Sequence, residues 1–352
     1  MSSPQSQKKS ACIKTWFLEN RRPLPWRKET SPYYIWVSEV MLQQTQAKVV
    51  IPYFKKWMEV FPTIETLAEA PLEKVLKLWE GLGYYSRAKN LHLGAQFICT
   101  HFKGVIPKEA HLLNEIKGLG PYTIGAIRSF AFKERSAAVD GNVIRVLSRL
   151  FAISGEVSKR ETQKTLWKLA ESLLPENESH LVSEGLIELG ALICKKKPLC
   201  NLCPLNHECA AYLHHTPTDF PHKKKGKKIT QLYKSIALIQ NNEAFLVKQI
   251  EEGTIMSGLT EFYSFEAENL SIKKFQDTIQ NELDIPLTFH QSLLETSHSY
   301  TRYKAHLTPY HFFTTSQKLT PGYHWKTINQ LKQMPFSSGH RRIWESLCAS
   351  FT

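Results

Sequence analysis

Residues 111–130 read HLLNEIKGLGPYTIGAIRSF. Leu112, Leu113 and Ile116 fall at helical spacing, Gly118 and Gly120 interrupt, and Pro121 stands where a new helix would begin; Ile124, Ile127 and Phe130 give that helix an apolar face. Proline is tolerated at a first helical position because its missing N–H would have no intrahelical partner there. The stretch predicts two short helices joined by a tight hairpin. The glycines allow close backbone approach, and free N–H groups at the start of the second helix suit a phosphate without reading base sequence. A merely tight connection would leave the same pattern, so the hairpin by itself leaves phosphate binding open.

Working outward, the text from about Ile13 to Leu213 is helical. IETLAEAPLEKVLKLWEGLG (64–83), AKNLHLGAQFICTHF (88–102) and ETQKTLWKLAESLL (161–174) each place apolar residues three and four apart, with Gly or Pro near the ends. An all-α domain over 13–213 is expected. Residues 214–229 carry Pro, Gly and a lysine run and read as a basic linker. Beyond it, LYKSIALIQ (232–240), EAFLVKQI (243–250) and YKAHLTPYHFFTT (303–315) have strand-like alternation, while 270–283 and 340–350 are helical text. This predicts a smaller α+β domain over 230–352. At 352 residues the chain exceeds what one core usually supports, which agrees with two domains.

The opening MSSPQSQKKS has neither an apolar region nor an Arg-rich amphipathic stretch. Residues 1–12 are therefore expected to form a flexible tail, and the protein to stay in the cytoplasm, on the nucleoid if the cell is bacterial. No apolar run approaches the roughly 20 residues of a membrane helix, so no membrane partner is expected. A net charge of +13 suits a polyanionic partner, since each neutralised phosphate releases counterions. Nothing signals oligomerisation, and a monomer is expected.

Four of the seven cysteines, Cys194, Cys200, Cys203 and Cys209, cluster in one short segment, 194–209, whereas Cys12, Cys99 and Cys348 are scattered. The clustering predicts a metal site, and its spacing alone fits either tetrahedral zinc or an iron–sulfur cubane. Its expected role is architectural, folding a loop that presents Lys195, Lys196 and Lys197 to phosphate.

Two carboxylates stand out. Glu39 is the only charged residue between Thr30 and Ala47, so desolvation should raise its pKa and keep a proton available near neutrality, unless a distant cation pairs with it. Asp140, in VDGNVIRVLSRL, precedes a helix and reads as an N-cap. A capping carboxylate held in fixed orientation also suits stabilisation of a cationic sugar.

With these residues in hand, the order of PLPWR (23–27), SEVMLQQTQ (38–46), GLGYYSRAKNL (81–91), GLGPYT (118–123), VDGNVIRVLSRL (139–150), LIELGALIC (186–194) and the four cysteines resembles the MutY-type adenine DNA glycosylases. These belong to the helix-hairpin-helix superfamily shared with endonuclease III. The resemblance implies an all-α glycosylase domain, with a six-helix barrel and an iron–sulfur subdomain, followed by a smaller α+β Nudix-like domain. It implies a [4Fe–4S] cluster on the four cysteines and duplex DNA with adenine opposite 8-oxoguanine or guanine as partner. It also implies that Glu39 protonates adenine, that Asp140 stabilises the sugar cation with Asn142 beside it, and that Gly118 and Gly120 sit at a DNA phosphate. Arg22, Trp26, Arg27, Leu42 and Glu184 would line the adenine pocket; Gln44, Thr45, Leu82 and Tyr84 would meet the opposite base.

Tyr122 occupies the hairpin position where lyase-type relatives carry lysine. Tyrosine cannot form a Schiff base, so the resemblance implies a monofunctional glycosylase. Over 230–352 the similarity is looser. A hydrolytic glutamate cluster is absent, and the recognition turn appears as Thr296-Ser297-His298, with Ser297 implied to contact 8-oxoguanine and His298 to support it; Thr296 stands where the family has Phe. The first cysteine gap is one residue shorter than usual. Competing readings are an endonuclease III-like glycosylase and lyase, which Tyr122 opposes, and a non-catalytic iron–sulfur damage sensor.

Overall fold

The computed structural model describes residues 4–349 except 225, 227, 269 and 319; Lys225 and Lys227 of the expected linker, and residues 1–3 of the expected tail, lie outside the described residues. The chain divides into two units, Met1–Ala68 with Leu93–Gly226, and Glu69–His92 with Lys227–Thr352. Along the chain run α1 (Pro4–Asn20), α2 (Pro32–Leu42), α3 (Ala47–Val60), α4 (Ile64–Ala68), α5 (Leu72–Trp79), α6 (Ser86–Phe102), α7 (Ala110–Leu113), α8 (Pro121–Ala126), α9 (Gly141–Leu150), α10 (Arg160–Ser172), α11 (Ser179–Leu192) and α12 (Ala210–Leu213). Strands β1 (Thr230–Asn241), β2 (Ala244–Gln249) and β3 (Thr260–Glu266) precede α13 (Ile272–Leu283); β4 (Thr288–Ser292), β5 (Thr296–Tyr300), β6 (Tyr303–Phe313) and β7 (Tyr323–Thr327) precede α14 (Ile328–Gln333) and α15 (Ser338–Ala349).

The first unit is helical, as its periodicity predicts. Its core joins Ile13, Trp16 and Phe17 of α1 to Val143, Val146 and Leu147 of α9, Leu166 of α10 and Val182, Leu186 and Leu189 of α11. The expected flexible tail is a correction: from Pro4 onward it is the start of α1. Its Ser10 hydroxyl donates to the Leu173 carbonyl, and Lys9 pairs with Glu208, so polar side chains are buried with partners and the helix is held well before its apolar face begins.

Two further expectations change. The helical text over 64–83 is broken into α4 and α5 at Pro71, which lacks the N–H a continuing helix needs. The second hairpin helix ends its regular turns at Ala126 and widens into a π-type turn over Ile127–Ala131.

In the second unit the described strands form one sheet in the order β4-β6-β1-β3-β2-β7, with β5 also paired to β6. β1 and β6 run parallel over Thr230–Gln240, and the other pairs are antiparallel. Alternate residues of β1 serve opposite faces, Ile236 and Leu238 packing with Trp344 and Leu347 of α15, Ala237 and Ile239 with Phe275 and Ile279 of α13. Both faces are covered, which is why this strand reads as an almost continuous apolar run. Pro309 lies in β6 between the residues paired to β5 and those paired to β4, where its missing N–H interrupts no ladder bond.

Candidate active site

Glu39 lies on α2, whose start is capped by the Ser31 hydroxyl accepting from the Tyr34 N–H at 3.2 Å. The sequence YYIWVSEVM gives the helix apolar residues all round, so its one carboxylate is carried into the interior; Glu39 is 6% exposed. Burial pushes its pKa up to about 7, and the charges of Asp140 and Glu184 push the same way; the Tyr122 hydroxyl, which donates to Oε2, and Arg27 oppose them. The carboxyl therefore keeps a proton available near neutral pH. Burial and the neighbouring carboxylates hold the Tyr122 phenol well above its ordinary range, so it remains a donor.

Asp140 caps α9, as its sequence context predicts. Its Oδ1 accepts the N–H groups of Asn142 and Val143 at 2.9 and 2.8 Å, and Oδ2 accepts the Asn142 amide at 2.7 Å. Burial raises its pKa, but those three bonds and Arg145 favour the anion. Asn142 lies close to α11 because Gly190 has no side chain: a Cβ there would come within 2.6 Å of the Asn142 Cβ. Arg145 extends the chain of bonds, donating to Asn142 Oδ1 at 2.9 Å, the Gly190 carbonyl at 2.7 Å and the Cys194 carbonyl at 2.6 Å.

The opposite wall is a charge network. Arg27 donates to Glu184 at 3.1 Å and to Glu188 at 3.1 Å; Arg22 makes a two-pronged pair with Glu188 at 2.7 and 3.0 Å and adds its backbone N–H at 3.1 Å. Burial alone would raise the Glu188 carboxyl, but the two arginines hold it below the usual range, whereas Glu184 is raised by burial despite Arg27 and Lys133. Glu188 is 1% exposed.

These groups line one cleft of about 1020 Å³, ample for a nucleoside and its flanking backbone. The structure brings Arg22, Trp26, Arg27, Glu39, Leu42, Gln44, Thr45, Tyr122, Asp140, Asn142 and Glu184 to it. Sequence reasoning missed Glu188 and Arg145 in this wall, and Lys48 and Lys223, which join Lys195 in lining it. Glu188 had a legible signal, being the only charge in GLIELGALIC, the same signature that marks Glu39.

Gly118 adopts φ +90, the left-handed turn that favours glycine. Gly120 caps α8 with φ −92, and a Cβ there would meet nothing within 4 Å, so the chain itself does not require glycine at this position. Leu82, Tyr84, Ser297 and His298 belong to the second unit. Tyr84 is 47% exposed in a left-handed turn, and Leu82 is buried. The expected Thr296-Ser297-His298 turn is a correction: these residues form β5, paired to β6 from Thr296↔Leu307 to Tyr300↔Tyr303, because Ala305 and Leu307 anchor that hairpin in the core.

Cys194, Cys200, Cys203 and Cys209 line one small cavity beside Arg149, whose guanidinium donates to Cys194 Sγ at 3.3 Å and to the Lys195 carbonyl at 2.6 Å. Among the described residues no three His, Cys, Asp or Glu side chains are arranged to hold a single metal ion. The four thiols thus share one cavity, with the Arg149 guanidinium against one of them.

The sequence matches the HhH-GPD superfamily of base excision DNA repair proteins over residues 37–172 and the NUDIX domain over 235–346. It is 34% identical over 302 residues to the adenine DNA glycosylase of Buchnera aphidicola subsp. Schizaphis graminum, covering 85% of this chain and 86% of that one. It is 41% identical over 232 residues to the adenine DNA glycosylase of Buchnera aphidicola subsp. Baizongia pistaciae, covering 65% of this chain and 66% of that one. The fold is similar to a thermostable thymine-DNA glycosylase, with TM-score 0.55, 29% identity and coverage of 60% of this chain and 98% of that one. The helical unit and its cleft define a base-excision glycosylase. The chain belongs to the adenine DNA glycosylase family.

Proposed function

We propose that the cleft around Glu39 hydrolyses the N-glycosidic bond of adenine mispaired with 8-oxoguanine or guanine in duplex DNA, leaving the strand intact. The observation that carries this is a buried carboxyl with pKa about 7, donated to by Tyr122, in a cleft of nucleoside size that it shares with Asp140, whose carboxyl three hydrogen bonds hold in fixed orientation. Two carboxyl groups with environments that separate their roles provide an acid and an electrostatic stabiliser. Glu39 protonates the flipped adenine so that it leaves as a neutral base. Asp140 stabilises the sugar cation, and water completes the hydrolysis. Arg22, Trp26, Arg27, Leu42 and Glu184 hold the base, whose extrusion costs a few kcal/mol that their contacts must offset.

Gly118 and Gly120 place the hairpin backbone against a phosphate; the open space at Gly120 gives room for an external group. Gln44, Thr45, Leu82, Tyr84 and Ser297 are read as contacts to the opposite base, and His298 supports Ser297. The four cysteines would hold a [4Fe–4S] cluster, which would cross-link residues 194–209, and Lys195 of that segment lines the cleft. The test is adenine release from a labelled duplex, analysed with and without alkali. Release with breaks only after alkali supports the reading. Tyr122→Lys should gain strand nicking by Schiff-base chemistry, and should lose glycosylase rate because an ammonium beside Glu39 would lower its pKa.

A further inference from the structure

The turn bearing Leu82 and Tyr84 is built against the C-terminal part of its own unit. The Trp79 indole donates to the Gly83 carbonyl at 3.0 Å, and Arg87 donates to the Leu82 and Gly83 carbonyls at 3.0 and 3.1 Å while its guanidinium lies 5.7 Å from the Tyr84 ring. At the entrance to this turn, the Glu80 carboxylate accepts Arg341 Nε at 2.7 Å and Nη2 at 3.2 Å, and the Phe336 N–H at 3.3 Å. The Tyr85 hydroxyl at its exit donates to the Phe336 carbonyl at 3.2 Å. Both partners of the Glu80–Arg341 pair are largely buried, at 13% and 15% side-chain exposure, so the pair is more than a solvated surface contact.

The next residue of α15 reaches the other element. Arg342 Nη2 donates to the Ser297 carbonyl on β5 at 2.7 Å. Two adjacent arginines near the start of one helix thus hold the Tyr84 turn and the Ser297 strand. The two arginines themselves engage carboxylate and backbone groups of these elements.

We propose that Arg341 and Arg342, with Glu80, are positioning residues that set Tyr84 and Ser297 as a single surface for reading the base opposite adenine. This rests on the reading of Tyr84 and Ser297 as contacts to that base. The arginines touch no base themselves and act through the two elements they hold.

The experiment compares single-turnover adenine release from duplexes with 8-oxoguanine or guanine opposite, for the full chain and for Arg341→Ala, Arg341→Lys, Tyr84→Ala and the Arg341→Ala/Tyr84→Ala double variant. Arg341→Ala should compress the rate ratio between the two duplexes about fivefold. Arg341→Lys, which keeps the charge but not the paired geometry, should recover part of it. The double variant should fall no lower than Tyr84→Ala, because the two changes remove the same contact. Equal slowing on both duplexes, or additive losses, would make Arg341 a folding residue and overturn the proposal while Tyr84 kept its effect. An unchanged ratio in Tyr84→Ala would overturn the reading of the turn and the proposal with it. If Arg341→Ala does not fold, Glu80→Gln, which keeps side-chain shape and loses charge, takes its place with the same expected compression.

Discussion

The cleft of the helical unit and the β5 region of the α+β unit both bury titratable side chains, with opposite results. In the cleft, burial raises Glu39 to about 7, so a proton is held where neutral pH can use it. Around β5 and its neighbours, burial drives His298 down to about 4 and His340 to about 3, so both rings are uncharged at neutral pH. His340 Nδ1 accepts the Phe262 N–H at 3.2 Å, while neither ring nitrogen of His298 has a partner among the described residues and its ring stacks 5.1 Å from Tyr300. The Glu261 carboxylate is paired to Lys248. Desolvating an acid stores a proton and desolvating a base discards one. The first region thereby keeps a proton near neutral pH, and the second keeps its buried rings uncharged.

Glu39→Gln should break that contrast most severely. Removing the general acid should lower the single-turnover rate by about 10²- to 10⁴-fold at neutral pH. The same variant should be the more thermostable one above pH 7: a carboxyl with a raised folded-state pKa contributes stability below its unfolded value and loses it as pH rises through about 7, and glutamine has no such loss. A melting series on both sides of that pH checks the sign. Adenine release that survives the substitution would remove Glu39 from the mechanism.

Glu188→Ala tests the paired side of the cleft. It leaves Arg22 and Arg27 without their shared acceptor, and breaking a buried pair in this way should cost about 3 kcal/mol of stability. In duplex titrations of variants that remain folded, apparent binding should weaken more than the bound-state rate. A rate loss at unchanged binding would place Glu188 closer to the chemistry than its contacts indicate.

Arg145→Ala should have a smaller effect, about tenfold on rate, by freeing Asn142 and hence one hydrogen bond to Asp140. Iron content per chain, measured alongside, separates this from loss of the cysteine-held group. Ser297→Ala should be mildest, about a twofold change in the preference for 8-oxoguanine over guanine, read as a ratio of rates. An effect confined to overall rate would take Ser297 out of recognition.

What could be read in the sequence was local. Glu39 announced itself as one charge in an apolar helix, Asp140 as a cap before VIRVL, and the cysteines as a cluster, because each signal lies within a few residues. Glu188 carried the same signature as Glu39, but its meaning depends on Arg22 and Arg27, far away in sequence, and was invisible without the fold. Likewise nothing in GLGYY shows that Glu80 and Tyr85 bond to Phe336 and Arg341. Thr296–Tyr300 is too polar to read as a strand and takes its conformation from β6. The start of α1 misled for the opposite reason: its polar residues find partners in other helices, which composition does not record.

The proposed mechanism makes adenine release depend on a proton from Glu39. Its most direct test is the single-turnover rate for adenine opposite 8-oxoguanine as a function of pH, in the wild type and Glu39→Gln, with strand breaks scored before and after alkali. The expected wild-type rate falls as pH rises through about 7, with breaks only after alkali, and the residual rate of the variant lacks that titration. A wild-type rate that stays flat through the same range, or a variant that keeps the same titration, would contradict it.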